Sequence, residues 1–178
     1  IVGPDNTLAE TIDGNNARAG NGLEVSYGVD LVTSAVAGPA SAATGQNIVF
    51  TGSVRNQGAA ATAGSVTFGF YLSTDANVTG ADSLIATTTV GSMAAGQSMA
   101  VSASAALRTS LVAGTYYVGA IADRTGVVPE SIESNNALAG NTVAVSYGPD
   151  LVITAVGAPA SVNRGQAVCS VGVRDKDG

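Results

Sequence analysis

The sequence predicts an all-β fold, built from immunoglobulin-like β-sandwich modules that repeat in tandem. Apolar residues make up 46% of the 178-residue chain but aromatic residues only 4%. These apolar residues alternate with Thr, Ser and Gly at the two-residue period of a strand, and helical periodicity does not appear. The third observation is an internal repeat. A chain with this much apolar content and few charges has enough material to bury a core, so it is not a disordered linker.

The repeat is visible when residues 1–47 are laid over 121–167, where 23 of 47 pairs are identical without a gap. A period of 120 residues is far longer than a helical solenoid unit, so each repeat is a whole domain. We expect 1–29 to hold the C-terminal strands of one repeat, 30–149 to be a complete repeat, and 150–178 to hold the N-terminal strands of the next. Since Ile1 begins in mid-pattern, we expect a window on a longer polypeptide; completion of one copy by another through strand exchange is the alternative.

Seven strands are predicted within the complete repeat, at the spacing expected of a sandwich. The clearest is the third, in which Val66, Phe68, Phe70 and Leu72 alternate with other residues. The predicted strands are Asp30–Ala37, Asn47–Asn56, Ser65–Ser73, Ser83–Val90, Gln97–Leu107, Thr115–Asp123 and Asn141–Tyr147.

Composition and charge exclude several functions. The net charge is −6 with seven Lys and Arg residues spread along the chain, which excludes nucleic acid as a main partner. No stretch approaches the roughly 20 apolar residues of a membrane span. Cys169 has no second cysteine to pair with, so disulfides do not hold the fold. An acidic chain that is rich in Ser, Thr, Gly and Ala favours an extracellular or cell-surface location.

Several short segments of the repeat together resemble the CARDB family. They are Asp30-Leu31-Val32, Pro39-Ala40-Ser41 before Gly45-Gln46, Val54-Arg55-Asn56-Gln57-Gly58, Phe70-Tyr71-Leu72-Ser73-Thr74-Asp75, Gly114-Thr115-Tyr116-Tyr117, and Glu130 through Asn135-Asn136. The resemblance implies immunoglobulin-like modules of bacterial and archaeal surface proteins, associated with cell adhesion and often present in tandem. It implies nothing specific about a ligand.

Catalysis is not expected of this chain. It contains no histidine, its one thiol lies outside the complete repeat, and no serine lies in a nucleophile-elbow context. Glu130 and Glu133 could in principle act as a carboxylate pair on a sugar, but residues that flank a hairpin explain them more simply.

One candidate metal site lies in the segment 127–136, which recurs as 7–16. An Asn-Asn step after an acidic residue is first of all a means of turning the chain, because Asn tolerates left-handed backbone. The alternative is calcium, with Asp123, Glu130, Glu133 and Asn136 converging as oxygen ligands at one end of the sandwich.

A second candidate lies in the loop 75–82, where Asp75, Asn77 and Asp82 resemble the first half of a calcium-binding loop. The twelfth position, where a bidentate Glu would complete such a loop, is Ala86, so a plain acidic loop is the other interpretation. Asn77 also begins an Asn-Val-Thr glycosylation sequon.

The tyrosines are interpreted as core residues. Tyr116, Tyr117 and Tyr147 could stack on sugars, but core positions in the sandwich are favoured. Tyr117 is assigned as the side chain of a tyrosine corner, whose hydroxyl bonds backbone.

The expected function is structural. Only Gly148-Pro149 and Gly28-Val29 separate consecutive repeats, and connections this short remove most interdomain freedom. We therefore expect a semi-rigid stalk or filament that self-associates through adjacent repeats or subunits, with glycans as further candidate partners and calcium as the one candidate cofactor. The alternative is a carbohydrate- or surface-binding adhesin or accessory module of a secreted enzyme.

Overall fold

The structure is a computed structural model of the chain, and it describes residues 19–21, 28–166 and 169–176. These residues form ten strands and no helix. The strands are β1 (Leu31–Ala37), β2 (Ser41–Ala43), β3 (Asn47–Asn56), β4 (Val66–Ser73), β5 (Ser83–Val90), β6 (Ser98–Ala106), β7 (Gly114–Ile121), β8 (Ala137–Ser146), β9 (Leu151–Gly157) and β10 (Ser170–Asp175).

The first eight strands form two sheets. One sheet has the order β1-β3-β6, and the other has the order β2-β8-β7-β4-β5. Every pairing in them is antiparallel except that of β2 with β8, which is parallel. Strands β9 and β10 form a separate antiparallel pair.

The core lies between the inner faces of the two large sheets. Alternation decides which side chains enter it: Ile48, Phe50 and Val54 of β3 are buried while Val49 between them is 58% exposed. The ring of Phe70 on β4 stacks on Phe50 of the other sheet at a centroid distance of 5.5 Å. It also meets Phe68 edge-on at 5.1 Å. The three rings pack the two sheets against each other, which is the arrangement expected of a β-sandwich.

The module has one strand more than the seven predicted. The additional strand is β2, whose three residues carry no sequence signature beyond their place after a proline and form a strand because β8 offers an edge beside them. The last predicted strand, Asn141–Tyr147, begins four residues too late, because Ala137–Ala139 also pair with β7 and Gly140 continues the strand. The small residues of that stretch have low strand propensity, so tertiary pairing decided their conformation.

The short pair β9–β10 repeats a local irregularity of β1–β3. In β1 the register with β3 skips Ser34, and in β9 the register with β10 skips Thr154, which is 120 residues later. The two bulges therefore lie at equivalent places. Their environments differ, because the apolar face of β9–β10 is open: Leu151 and Ile153 are 67% exposed, whereas Leu31 is fully buried.

The two ends of the sandwich have different loops, which we call the entry pole and the exit pole. The entry pole is the end at which β1 begins, and it consists of residues 28–30 with the loops 57–65, 91–97 and 122–136. The exit pole is the end at which β8 finishes, and it consists of the loops 44–46, 74–82 and 107–113 with residues 147–149.

Candidate functional site

The predicted calcium ligands divide between the two poles. Asp123, Glu130, Glu133 and Asn136 lie in or beside the loop 122–136 at the entry pole, whereas the loop with Asp75, Asn77 and Asp82 lies at the exit pole. The two sets therefore cannot form one site within a module. Among the residues that the structure describes, no group of three or more His, Cys, Asp or Glu side chains is placed to hold a metal ion.

The exit-pole carboxylates bind their own loop. Asp75 Oδ1 accepts a hydrogen bond from the backbone N–H of Asn77 at 2.8 Å. Asp82 Oδ2 accepts from the backbone N–H of Thr79 at 2.7 Å and from its hydroxyl at 3.1 Å. These are local turn bonds, which shape the loop whether or not a ligand is present. Calcium binding here remains a prediction.

The sequon residue Asn77 is exposed, while its neighbour Val78 is buried against Gly119 of β7. A Cβ at Gly119 would overlap the Val78 side chain, so this glycine makes room for the loop to anchor. Glycosylation of Asn77 stays a prediction, with the acceptor side chain accessible.

The entry pole contains a polar network around the start of β1. Leu31 donates its backbone N–H to Glu130 Oε2, and Asn136 donates Nδ2 to Glu130 Oε1 at 2.8 Å. On the other side, Asn135 donates Nδ2 to Asp30 Oδ1 at 2.8 Å, and Gln57 donates Nε2 to Asp30 Oδ2 at 3.0 Å. The network ties residues about 100 positions apart and fixes where β1 enters the sheet.

Asp123 has a structural place in the same pole. It is 4% exposed, its φ of 39° lies in the left-handed region, and its Oδ2 accepts from the backbone N–H of Val128 at 2.7 Å. Its Oδ1 accepts from the Thr125 hydroxyl at 3.2 Å. Because Asp is among the few residues that tolerate this backbone conformation, it both turns the chain after β7 and caps the turn.

Electrostatics at the entry pole are dominated by negative charge. Burial raises the pKa of Glu130 to about 6, hydrogen bonds from Leu31 and Asn136 oppose that rise, and the carboxylates of Glu133 and Asp123 add to it. The ion pair between Lys176 and Asp150 lies outside this network. The carboxylates of Asp30 and Glu130 are thus hydrogen-bonded by uncharged donors, namely a backbone N–H group and side-chain amides.

Two oxygen atoms of the network lack a partner. The Oδ1 atoms of Asn135 and Asn136 are buried and accept no hydrogen bond from any described residue. Buried acceptors in this state are uncommon in folded proteins.

The sequence pattern found part of this network. Glu130 and Asn136 were predicted from the recurrence of 127–136 in 7–16, but Asp30, Gln57 and Asn135 were not among the predicted ligands. The recurrence of Asp30 as Asp150 and of Asn135 as Asn15 was the available signal. The predicted hairpin 127–136 is in fact the irregular distal part of the loop between β7 and β8, with no strand pairing of its own.

The tyrosine-corner assignment requires a correction. The hydroxyl of Tyr116, not Tyr117, donates to the carbonyl oxygen of Val112 at 2.8 Å. Tyr116 shares the inward face of β7 with Val118 and Ala120, and alternation places Tyr117 on the other face.

The exit pole meets β9 at an open cleft of about 570 Å³, lined by Thr44, Thr109, residues 147–150 and Lys176. Tyr147 was predicted as a core residue, but its side chain is 58% exposed and lines this cleft. The core assignment of Tyr147 is therefore wrong, because it lies beyond the end of β8, where no second sheet covers it.

The backbone of each linker is hydrogen-bonded to the central module. Gly28 accepts at its carbonyl oxygen from the N–H groups of Ala59 and Ala60, at 3.0 and 3.3 Å, and donates its own N–H to Ser131 Oγ at 2.9 Å. At the exit pole, Gly148 donates its N–H to Thr44 Oγ1 at 3.0 Å. Linker backbone is thus part of the folded module at both ends.

Two facing, largely antiparallel sheets, a buried aromatic core and loops gathered at two poles define an immunoglobulin-like all-β module. The sequence profile of the CARDB family matches residues 28–140, which is more than half of the chain. The chain belongs to the CARDB family, and the resemblance predicted from its sequence segments is confirmed.

Solved structures similar to this chain include CARDB domains. The crystal structure of the CARDB domain of PF1109 from Pyrococcus furiosus, in complex with di-metal ions, is 19% identical, with 71% of this chain and 95% of that chain covered and a TM-score of 0.49. A domain of a "putative cell surface protein" from Methanosarcina acetivorans is 22% identical, with 66% and 92% covered and a TM-score of 0.47. A β-glucosidase from Erythrobacter marinus is 14% identical, with 66% and 16% covered and a TM-score of 0.44. Among curated proteins, none matches the sequence.

Within the described residues, no helix is long and apolar enough to cross a bilayer.

Proposed function

We propose that this chain is a non-enzymatic structural part of an adhesive surface protein, in which CARDB modules joined end to end form a semi-rigid stalk or filament. The observation that carries the proposal is the binding of the linker Gly28-Val29 to the entry pole. Four hydrogen bonds hold it: two to the carbonyl oxygen of Gly28, one from its N–H to Ser131 Oγ, and one from Ser131 N–H to the carbonyl oxygen of Val29.

A linker held in this way cannot act as a free joint. Rotation about the φ and ψ angles of Gly28 or Val29 would break bonds to the loops of the entry pole. Gly148 is held to the exit pole in the same manner, through Thr44. If both ends of each linker are bound, successive modules keep one relative orientation, which is the property of a rod.

The tandem arrangement is supported by the equivalent bulges at Ser34 and Thr154 and by the 120-residue repeat. The open face of β9–β10 supports it too. Its exposed apolar residues Leu151, Ile153 and Val156 correspond in sequence to Leu31, Thr33 and Val36, which the second sheet of the central module covers. A second sheet of the same kind is what this face lacks.

Surface location and lack of catalysis are part of the same proposal. CARDB membership and the acidic, lysine-poor composition support an extracellular setting. The lack of histidine in the sequence supports a non-enzymatic role.

A linker insertion tests the rod. The purified chain with Gly-Ser-Gly-Ser placed between Gly148 and Pro149 is compared with the unchanged chain by small-angle scattering and by negative-stain imaging. The same four residues inserted in the exposed loop 94–97, at the pole opposite to the Gly148-Pro149 linker, serve as the matched control. We expect one narrow distribution of end-to-end dimensions for the unchanged chain and the control, and a broad one for the linker variant. Equal and broad distributions in all three would show that the natural junction already moves freely.

A carbohydrate-binding role is the second candidate, and the cleft with exposed Tyr147 favours it. Tyr147 lines the cleft together with Thr44, Thr109 and Asp150, which combine an aromatic ring with hydroxyl groups and a carboxylate, the mixture of groups that holds a sugar. A glycan array with the unchanged chain and the Tyr147→Ala variant distinguishes the roles: binding that disappears in the variant supports the accessory module.

A further inference from the structure

We propose that the free edge of β6 (Ser98–Ala106) is a docking surface for a second copy of this chain, whose own β6 pairs with it in antiparallel orientation. The pairing joins the sheets β1-β3-β6 of the two copies into one continuous sheet, with three strands from each copy. This contact does not require the stalk proposed above, and between two stalks it acts as a lateral bond.

The other edge strands of the two large sheets, β1, β2 and β5, are protected against such pairing. Proteins protect edges by making them short, by bulges and by covering side chains. Strand β2 has three residues. Strand β1 contains a bulge, and Asn141 hydrogen-bonds both backbone groups of Gly38 directly after it, at 3.0 and 3.2 Å. Strand β5 has a register irregularity, and the guanidinium group of Arg108 donates to the carbonyl oxygen of Leu84 at 3.0 Å.

Strand β6 has none of these forms of protection. Its nine residues pair with β3 in one unbroken register, from Ser98 opposite Arg55 to Ala106 opposite Asn47. The strand contains no charged residue and no proline. Among the described strands, β3 is its only neighbour in a sheet. A long, regular and uncharged edge of this kind is the type that accepts another strand.

The hydrogen bonds at the two ends of β6 show which backbone groups face outward. The N–H of Asn56 donates to the carbonyl oxygen of Gln97 at 2.9 Å. The N–H of Leu107 donates to the carbonyl oxygen of Gln46, also at 2.9 Å. Because bonded pairs alternate along an antiparallel ladder, the odd-numbered residues of β6 bond to β3, and the N–H and C=O groups of the even-numbered residues point away from it. These even-numbered residues all have small, exposed side chains that leave the backbone accessible: Ser98, Ala100, Ser102, Ser104 and Ala106.

A second β6 fits this edge because antiparallel pairing of two identical strands is two-fold symmetric. With Ser102 on the symmetry axis, Ala100 faces Ser104 of the second copy, and every outward N–H and C=O group of one strand meets its complement on the other. The partly buried Met99 and Ala103, which pack at the rim of the core, then meet the same rim of the second copy and lose exposed apolar surface.

Charge also favours a second copy at this edge. The chain has a net charge of −6, so two copies repel each other over most of their surface. Within the three strands of the sheet β1-β3-β6, the only charged residue is Arg55, which lies on the central strand. Two copies therefore approach each other along β6 without bringing negative side chains together, whereas a charged partner strand finds no opposite charge on β6 itself.

Sedimentation equilibrium of the full chain measures the association, with Cys169→Ser as the background because this thiol is exposed. We expect a monomer–dimer equilibrium with a dissociation constant of about 10⁻⁴ M, since the contact of one strand with another lies at the small end of protein interfaces. Ser102→Lys places two ammonium groups opposite each other and should raise this constant about fivefold or more. The matched control is Thr51→Lys, which adds the same charge on the same exposed face, on the β3 residue paired with Ser102. It should leave the constant within about twofold.

A cross-link tests the register directly. In the same background, Ser102→Cys should form a disulfide-linked dimer on mild oxidation, because the two Cα atoms of a bonded antiparallel pair lie about 5.5 Å apart, within the range of a disulfide. Thr51→Cys should stay monomeric. A chain that remains monomeric up to about 1 mM would overturn the proposal. A dimer that Ser102→Lys does not weaken would place the contact elsewhere, for example on the open face of β9–β10, and a dimer that both Lys variants weaken equally would show stacking of sheet faces; either result also overturns it.

Discussion

Gly58 lies directly against the carbonyl oxygen of Gly28, so that a Cβ atom at Gly58 would overlap this oxygen. The backbone N–H of Asp30 would lie 2.7 Å from the same Cβ. Both neighbours are backbone atoms, which cannot turn aside as a flexible side chain can. The loop 57–65 and the linker thus fit together only because residue 58 has no side chain.

Gly58→Ala is therefore expected to separate the linker from the entry pole. The methyl group forces the loop or the linker to move and breaks the bonds that Ala59 and Ala60 donate to Gly28. We expect a loss of about 2 kcal/mol or more in the free energy of unfolding, measured by urea denaturation. Gly64→Ala is the control in the same loop, because nothing lies within 4 Å of a Cβ there. Similar losses in both variants would contradict the close contact between Gly58 and Gly28.

Tyr116→Phe tests the corrected tyrosine corner. The substitution removes the hydroxyl that donates to Val112 and leaves the ring in place, so the expected loss is about 1 kcal/mol in the free energy of unfolding. Tyr117→Phe should change it by less than about 0.5 kcal/mol, because no described hydrogen bond holds that hydroxyl. The reverse order of the two losses would restore the assignment made from sequence.

Phe70→Ala tests the contact between the sheets. Its ring is fully buried between Phe50 and Phe68, and its removal leaves a cavity that both sheets line. We expect a loss of about 3–5 kcal/mol by chemical denaturation. Val49→Ala, on the exposed face of β3, should cost less than about 0.5 kcal/mol. Equal losses would show that Phe70 does not lie in the core.

The sequence predicted the interiors of the strands better than their ends. Phe68 and Phe70 could be assigned to one face because alternation along a strand follows from backbone geometry alone. The start of β8 at Ala137 could not, since Ala and Gly carry no strand signal and the pairing with Ile121 is a tertiary contact. The strand β2 was missed for the same reason.

The entry-pole network shows a second limit of prediction from sequence. Local spacing brought Glu130 and Asn136 to attention, because both lie in one recurring segment. Asp30 lies 105 positions before Asn135, and only the fold brings their side chains to 2.8 Å. The spacing of residues in the sequence indicates turns and candidate ligands within one loop. It does not indicate that this loop packs against the start of β1, which is distant in the sequence.

Stability should depend on pH through Glu130. Burial raises its pKa in the folded module to about 6 from an ordinary value of 4.5. Between these two pH values, the Glu130 side chain keeps its proton in the folded state and has released it in the unfolded chain. The proton therefore favours folding below about pH 4.5, and this contribution is lost as the pH rises through 6. We expect the unchanged chain to lose roughly 1 kcal/mol of unfolding free energy relative to Glu130→Gln between pH 4.5 and pH 7, a reduced value because the side chain is only partly buried. Urea denaturation of both proteins at several pH values measures this difference. A difference that stays constant with pH, or that grows in favour of the unchanged chain, would show that Glu130 is ionised in the folded module as readily as in the unfolded chain.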